Sequence, residues 1–337
     1  MGGLSQPRGG GLVLPPGSRI WLGVYSVTGM YGHVERWEAV GLLRAAAALG
    51  VGGFDTADIY GYGLGEELVC EALGGGRGVF VATKIGYDLS SRPPRLRYER
   101  GYLLSAAEAS AERLCRRPVD LVQLHNPPLE VLRGDWVWEL LGELRDRGLA
   151  RYVGVALGPE TDVLPHALAV LDHSDVVDYI QFVYNVLEQE PGLSIARLAA
   201  GRGVRVLARV PHAGGVLDET LREPRLPGDH RGLRRRGWLE WALRVYRERV
   251  KPVLDPLPGT PGQKAVRFIL DTIDPEAVIV VAKTPGVVAE YLGAERLPPL
   301  PRGVVEELRR VYLEEAWGSP EAPVESLRLA RELGLLD

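Results

Sequence analysis

Four residue types are nearly missing from this chain of 337 residues, which holds four lysines, two asparagines, two cysteines and two methionines. Two cysteines cannot staple a chain of this size. Their scarcity excludes a disulfide-built miniprotein and predicts two ordinary thiols, Cys70 and Cys115, in a reducing, cytoplasmic setting. Long apolar runs are also missing: the longest, Ala277–Ala282, falls far short of the roughly 20 residues that a membrane-spanning helix needs. The opening segment, rich in Gly, Pro and Arg, carries too brief an apolar stretch for a signal-peptide core. No excess of one charge is present either, and a formal net charge of −4 gives no ground to expect nucleic acid or an anionic membrane as partner. The six histidines show no ligand spacing and there is no HExxH or paired CxxC, so no metal is predicted. Scarce Asn, Met and Cys fit a thermophile; a coding bias toward Arg, Gly and Pro fits as well.

What is present is a well-mixed globular composition, 46% hydrophobic against 25% charged, which excludes disorder and collagen. At about 150 residues per domain the length suggests two domains, yet α/β barrels exceed that as one unit. No linker-like stretch divides the chain, so one domain over residues 1–337 is expected. Short β-branched and aliphatic runs near 19–24, 51–54, 78–83, 119–124, 151–155, 177–181, 203–208 and 277–281 read as strands, several with the double-sided burial of a parallel sheet. Between them lie helical stripes. Ala39, Leu42, Leu43, Ala46 and Leu49 are followed by a stop at Gly50, and Leu64, Leu68 and Ala72 precede Gly74.

Eight such strands predict the α/β class and a (β/α)8 barrel rather than an open sheet. Leu12–Ile20, centred on Pro15-Pro16-Gly17, reads as an N-terminal hairpin capping the lower end. The surplus between the last two strands, Leu217–Gly262, reads as a long loop on the active-site side with a helix around Leu239–Val250. Its arginines, Arg231, Arg234, Arg235 and Arg236, read as a solvated cluster.

Catalytic groups of such barrels sit at the carboxyl ends of strands. The second strand ends at Asp55, the third at Lys84, the fourth at His125 and the sixth at Gln181, and Tyr60 follows Asp55 in the same loop. Each has a plain alternative: Asp55 as a turn or helix-cap carboxylate, Tyr60 as one of 13 tyrosines, His125 as a turn-former before Asn126-Pro127. Lys84 is harder to dismiss, because an apolar strand ends in a residue this chain seldom uses. Together the four suit proton donation beside a carbonyl. A free tyrosine, with a pKa of about 10, is a poor acid at neutral pH. A neighbouring ammonium favours its phenolate, a carboxylate holds the ammonium, and an imidazole orients the substrate oxygen. A compact ammonium suits that role better than the planar guanidinium fork.

These residues carry a family resemblance. Gly53-Phe54-Asp55-Thr56-Ala57-Asp58-Ile59-Tyr60-Gly61, with Glu66 and Leu68, looks like the signature of the aldo-keto reductases. Ala82-Thr83-Lys84, Val119–Pro127, Gln181-Phe182-Val183-Tyr184-Asn185 and Ala208-Arg209-Val210-Pro211 resemble that family's later motifs, in order, over roughly residues 19–295. The resemblance implies a (β/α)8 barrel that reduces an aldehyde or ketone with NAD(P)H, or oxidises an alcohol, of the NADP-dependent alcohol dehydrogenase or carbonyl reductase class. By the same likeness Tyr60 is the proton donor, Lys84 tunes it, Asp55 holds Lys84 and His125 orients the carbonyl. Gln181 meets the nicotinamide carboxamide, Tyr25, Ser26, Asp55, Arg209, Val210 and Pro211 border the cofactor, and Lys283 and Thr284 grip the 2′-phosphate of NADP. A helix N-terminus there favours an anion. NAD is the other choice of cofactor.

The likeness has gaps. Ala156-Leu157 stands in place of a Ser-Asn pair that helps bind the carboxamide, Val287 in place of an arginine, Tyr291 in place of an asparagine and Gly65 in place of a serine. The missing Ser-Asn pair motivates a second reading, a nicotinamide-binding sensor or partner subunit with little turnover. A lyase using Lys84 as a Schiff-base amine is a third, disfavoured because Tyr60 and Asp55 would then lack a task. Gly61–Gly65 resembles a dinucleotide fingerprint only superficially, since the next strand ends in Lys84 rather than an acid. The partner expected is a small carbonyl or alcohol; substrate identity and oligomeric state do not follow from the residues.

Overall fold

In the computed structural model, which describes residues 17–336 apart from 31, 77, 160, 161, 224–233 and 236, every expected strand forms. They are β1 (Ile20–Gly23), β2 (Gly53–Asp55), β3 (Phe80–Ile85), β4 (Val119–His125), β5 (Ala150–Ala156), β6 (Tyr179–Val183), β7 (Arg205–Arg209) and β8 (Ala277–Val280). Each pairs in parallel with its neighbours in sequence, and β1 closes on β8. The closed (β/α)8 barrel is therefore the architecture of the chain.

Strand parity explains where the site sits. The inside of the barrel is filled by Trp21, Phe80, Ala82, Leu121, Tyr179, Leu207, Ala277 and Ile279, while the alternate residues pack outward against the helices. Because side chains alternate with a period of two, the same inward face continues up β3 to Lys84, up β4 to Gln123 and His125, up β6 to Gln181 and up β7 to Arg209. An apolar lower barrel thus passes into a polar upper rim. Gly53 is required below Asp55: a Cβ there would lie 2.7 Å from the Trp21 ring. At the lower end the Arg205 guanidinium stacks over Tyr152 and Tyr179, 4.6 and 4.2 Å from their ring centres.

Around the barrel run α1 (Arg36–Leu49), α2 (Leu64–Leu73), α3 (Arg100–Arg113), α4 (Asp135–Asp146), α5 (Leu164–Leu171), α6 (Gly192–Ala200), α7 (Trp238–Val245), α8 (Pro261–Ile273) and α9 (Pro285–Leu292). The expected glycine stops hold, with Gly50 and Gly74 at φ +93° and +60° after α1 and α2. Two further helices, α10 (Arg302–Glu315) and α11 (Val324–Glu332), follow the barrel. α11 is tied to α5 through Ser326, whose Oγ accepts from Leu164 N at 3.2 Å. No helix among the described residues is long and apolar enough to cross a membrane.

Three expectations stand differently in the folded chain. The hairpin expected at Leu12–Ile20 lies outside the described residues up to 16, and of its remainder Ile20 opens β1. The arginine cluster is not simply solvated. Arg234 donates to Glu188 at 2.8 Å, pairs with Glu321 and lies 3.7 Å from the Trp238 ring centre, so it pins the long segment to the body; Arg235 remains exposed, and Arg231 and Arg236 lie outside the described residues. The third is a correction: Cys70 and Cys115 are not free thiols but a disulfide, with Cα atoms 5.5 Å apart. Only the packing of α2 against α3 brings them together, and the basis for inferring a reducing compartment from two thiols falls away. Closing a loop of sequence separation 45 stabilises by roughly 4 kcal/mol in the chain-entropy account. Reduction with dithiothreitol is therefore expected to lower the melting temperature by several degrees in calorimetry; an unchanged transition would refute that contribution.

Candidate active site

The ammonium of Lys84 is the centre of the rim. The residue is 1% exposed, and its Nζ donates to Asp55 Oδ2 at 2.6 Å, to the Thr56 carbonyl at 2.9 Å and to Tyr60 Oη at 3.3 Å. Three protons meet three acceptors, so the group is fully satisfied. Burial opposes its charge, but the Asp55 carboxylate and the Tyr60 oxygen outweigh burial and hold the ammonium above its usual range. The other Asp55 oxygen, Oδ1, accepts from Gln181 Nε2 at 2.9 Å.

Tyr60 stands between two rings, edge-on to Tyr25 at 4.9 Å and to His125 at 6.0 Å between centroids. His125 is buried; burial first, then the Lys84 and Arg209 cations, depress its pKa well below 6.5. Its ring is therefore neutral at physiological pH, with one N–H to donate. It is further held by the edge of Tyr87, 5.1 Å away, and by Tyr98, whose hydroxyl donates to the His125 carbonyl. Asn126 Nδ2 in turn donates to Tyr87 Oη at 3.1 Å. Asp55, Tyr60, Lys84 and His125, drawn from three adjacent strands, are thus brought into one group.

The loop that delivers Tyr60 is clamped from behind. Glu66, fully buried on α2, accepts from Thr83 Oγ1 at 2.5 Å and from Arg113 Nε at 2.6 Å, tying α2 to β3 and α3. Gly65 is demanded by the same packing, since a Cβ there would lie 2.8 Å from Thr56 Oγ1. Asp58, just before Tyr60, is buried, and neither carboxylate oxygen has a well-formed hydrogen bond, the Ile59 and Gly86 amides lying near it in poor geometry. Burial and the neighbouring Glu66 push its pKa up to about 8, although the Ile59 and Gly86 amides and Arg113 pull it down.

The residues expected at the cofactor are placed as follows. Ser26 Oγ is spent on the Ala282 carbonyl at 3.0 Å, joining the ends of β1 and β8. Arg209 Nη2 donates at 2.7 Å to the carbonyl of Leu157, at the place where the Ser-Asn pair is lacking. Val210 has φ +61°, a conformation costing a β-branched residue ~1–2 kcal/mol, and Asn185 Nδ2 holds its carbonyl at 3.1 Å. Pro211 is buried beside it. Lys283 and Thr284 are exposed, and Thr284 caps α9, accepting from Val287 N at 3.4 Å. Tyr291 stacks on His212, 4.4 Å between centroids, and donates to Asp218 at 3.1 Å. A nicotinamide fits this rim on one observation: Gln181 Oε1 is buried and has no donor, and a carboxamide N–H would supply one.

The residues alone pointed to neither Tyr87, Tyr98 nor Arg113, and Asn126 and Glu66 stood within the motifs without an assigned role. Their signal is weak because each supports a neighbour rather than ending a strand. Tyr87 alone was reachable, being close beyond Lys84 on the same rim.

The Aldo/keto reductase family model matches residues 19–313. The aldo-keto reductase YhdN of Bacillus subtilis is 30% identical over 281 residues, 80% of this chain and 82% of that protein. The aldo-keto reductase yakc [NADP(+)] of Schizosaccharomyces pombe is 26% identical over 61% of each chain. Among solved structures, the glycerol dehydrogenase AKR11B4 of Gluconobacter oxydans superposes with a TM-score of 0.70 at 24% identity, covering 89% of this chain and 93% of that one.

Asp58 makes a separate prediction. Between pH 3.8 and about 8 the folded protein binds its proton and the unfolded chain does not, so folding loses stability as pH rises through that window. Asp58→Asn is expected to match the wild type near pH 4 and to melt higher at pH 8, by a margin on the order of a few kcal/mol. Parallel melting curves of the two proteins at both pH values would overturn the assignment.

Proposed function

This chain belongs to the aldo/keto reductase family, and from that premise we propose that it reduces an aldehyde or ketone to an alcohol, or runs the reverse oxidation, with Tyr60 as proton donor and NADP as cofactor. The observation that carries this reading is the buried Lys84 ammonium shared between Asp55 and Tyr60 Oη. The nicotinamide, when bound, supplies hydride to the carbonyl carbon. Tyr60 Oη gives its proton to the oxygen, and the phenolate left behind faces Lys84 at 3.3 Å. Asp55 keeps the ammonium charged and in place. His125, neutral, donates its N–H to the substrate oxygen and fixes its orientation beside Tyr60. Solvent reprotonates Tyr60 through the open rim.

Tyr25, Gln181, Arg209, Val210 and Pro211 would border the nicotinamide half. Ser26 would contribute shape, its hydroxyl being committed to Ala282. Lys283 and Thr284, a cation and a hydroxyl at the start of α9, would hold a 2′-phosphate. NADP is supported by the fission-yeast relative, whose name carries that cofactor, and a small alcohol or carbonyl by the likeness to a glycerol dehydrogenase. A sensor without turnover is not favoured, because all four proton-transfer residues stand together.

Nicotinamide absorbance, followed with NADPH and a panel of small aldehydes, tests the reading. Turnover is expected with at least one, and Tyr60→Phe is expected to lose roughly 10²- to 10⁴-fold while still folded at the assay temperature, its melting curve lowered by the Lys84 proton it leaves unpaired. Full activity in that variant would remove Tyr60 as donor. Lys283→Ala is expected to weaken NADPH binding more than NADH binding; equal losses would take Lys283 out of the phosphate site.

A further inference from the structure

Two atoms below the rim, one acceptor and one donor, lack partners in a way that the surrounding chemistry dictates. Gln123 lies on the inward face of β4, two residues before His125, and Gln181 lies on β6; both are fully buried. A carboxylate only accepts, so the Gln181 atom that meets Asp55 Oδ1 at 2.9 Å is the nitrogen. The same nitrogen donates its second proton to Gln123 at 3.4 Å, which makes the receiving Gln123 atom the oxygen. Asp55 thereby fixes the orientation of both amides. What remains is an acceptor, Gln181 Oε1, and a donor, Gln123 Nε2, each buried and each without a partner. Leaving such atoms unpaired costs about 1–3 kcal/mol apiece.

β5 runs between these two strands and contributes nothing polar. Gly154 is in register with Gln123 and Ala156 with Gln181, and neither has a side chain that hydrogen-bonds. Leu157, the next residue, is equally silent, and its carbonyl is already taken by Arg209. The unmatched donor and acceptor have the reverse pattern of a primary carboxamide, which offers one oxygen and one NH₂.

We propose that Gln123 is a cofactor-binding residue of this chain: its Nε2 donates to the nicotinamide carboxamide oxygen while Gln181 Oε1 accepts from the carboxamide nitrogen. The pair replaces the side-chain donor that Ala156-Leu157 cannot provide. The assignment rests on the nicotinamide reading above and deepens it.

Binding rather than turnover tests it, by titrating the full-length protein with NADPH, NADP⁺, its 3-acetylpyridine analogue and 2′-phospho-ADP-ribose in a calorimeter. Gln123→Leu removes the donor, and Gln123→Glu also removes it while keeping size and the acceptor for Gln181. Both are expected to bind NADPH and NADP⁺ about tenfold more weakly. The acetylpyridine analogue keeps the carbonyl oxygen, so it should suffer the same loss in both variants. For Gln181→Leu the loss should be larger with NADP⁺ than with the analogue, which has no NH₂ to donate, the shared part reflecting the hold of Gln181 on Gln123. 2′-Phospho-ADP-ribose, lacking nicotinamide, should bind all forms equally. Unchanged NADPH binding in the Gln123 variants overturns the proposal while leaving the reductase reading standing. An equal loss for 2′-phospho-ADP-ribose shows a general structural effect and also overturns it. Failure of the wild type to bind any nicotinamide cofactor overturns the reductase reading instead. If Gln123→Leu does not fold, the near-isosteric Gln123→Glu decides between the same outcomes.

Discussion

The buried ammonium of Lys84 is the constraint on which the site depends. A charge taken out of water is tolerated only where every proton finds an acceptor, and removing one partner of such a group costs several kcal/mol. Lys84 therefore dictates where Asp55, the Thr56 carbonyl and the Tyr60 hydroxyl must be. Since β2 and β3 are neighbours, Asp55 and Lys84 come from adjacent staves, and the loop after β2 has to fold back to deliver Tyr60. The demand then spreads outward. Asp55 orients Gln181, Gln181 orients Gln123, and burial, helped by Lys84 and Arg209, keeps His125 neutral.

The loop is held by what lies behind it. Glu66 clamps α2 to Thr83 and Arg113, and the disulfide joins the end of α2 to the residue just past α3. Thr83 sits on the outer face of β3, so the strand that carries Lys84 inward also anchors the Tyr60 loop outward through Glu66. Asp58 is the dissonant member. A carboxyl buried without a well-formed hydrogen bond and beside another carboxylate lowers stability at neutral pH, which is tolerated because the rest of the clamp over-determines the loop.

The gaps in the family likeness turn out to be filled rather than open. Arg209 covers the Leu157 carbonyl, Tyr291 stacks on His212 and reaches Asp218, and Gly65 makes room for Thr56. Each replacement has its own set of contacts. Asp55, Tyr60, Lys84 and His125 stand together, and the positions around them are taken by side chains with contacts of their own.

The barrel and its rim were legible in the residues because both rest on short-range regularities. A parallel strand buried on two faces is an apolar run, and a run ending in Asp55, Lys84 or His125 marks the rim by position alone. The scarcity of lysine sharpened this, since one of four lysines stands one residue before the end of β3 and another just ahead of the α9 cap. What the residues could not determine depends on distance through space. Cys70 and Cys115 become a disulfide only when α2 packs on α3, and Arg234 becomes a partly buried ion pair only when Glu188 and Glu321 converge on it. The amides of Gln123 and Gln181 acquire an orientation only because Asp55, far away in sequence, presents a carboxylate to one of them. Period and composition are local properties of a chain, whereas pairing of charges and hydrogen-bond valence are settled where the closed barrel brings remote strands together.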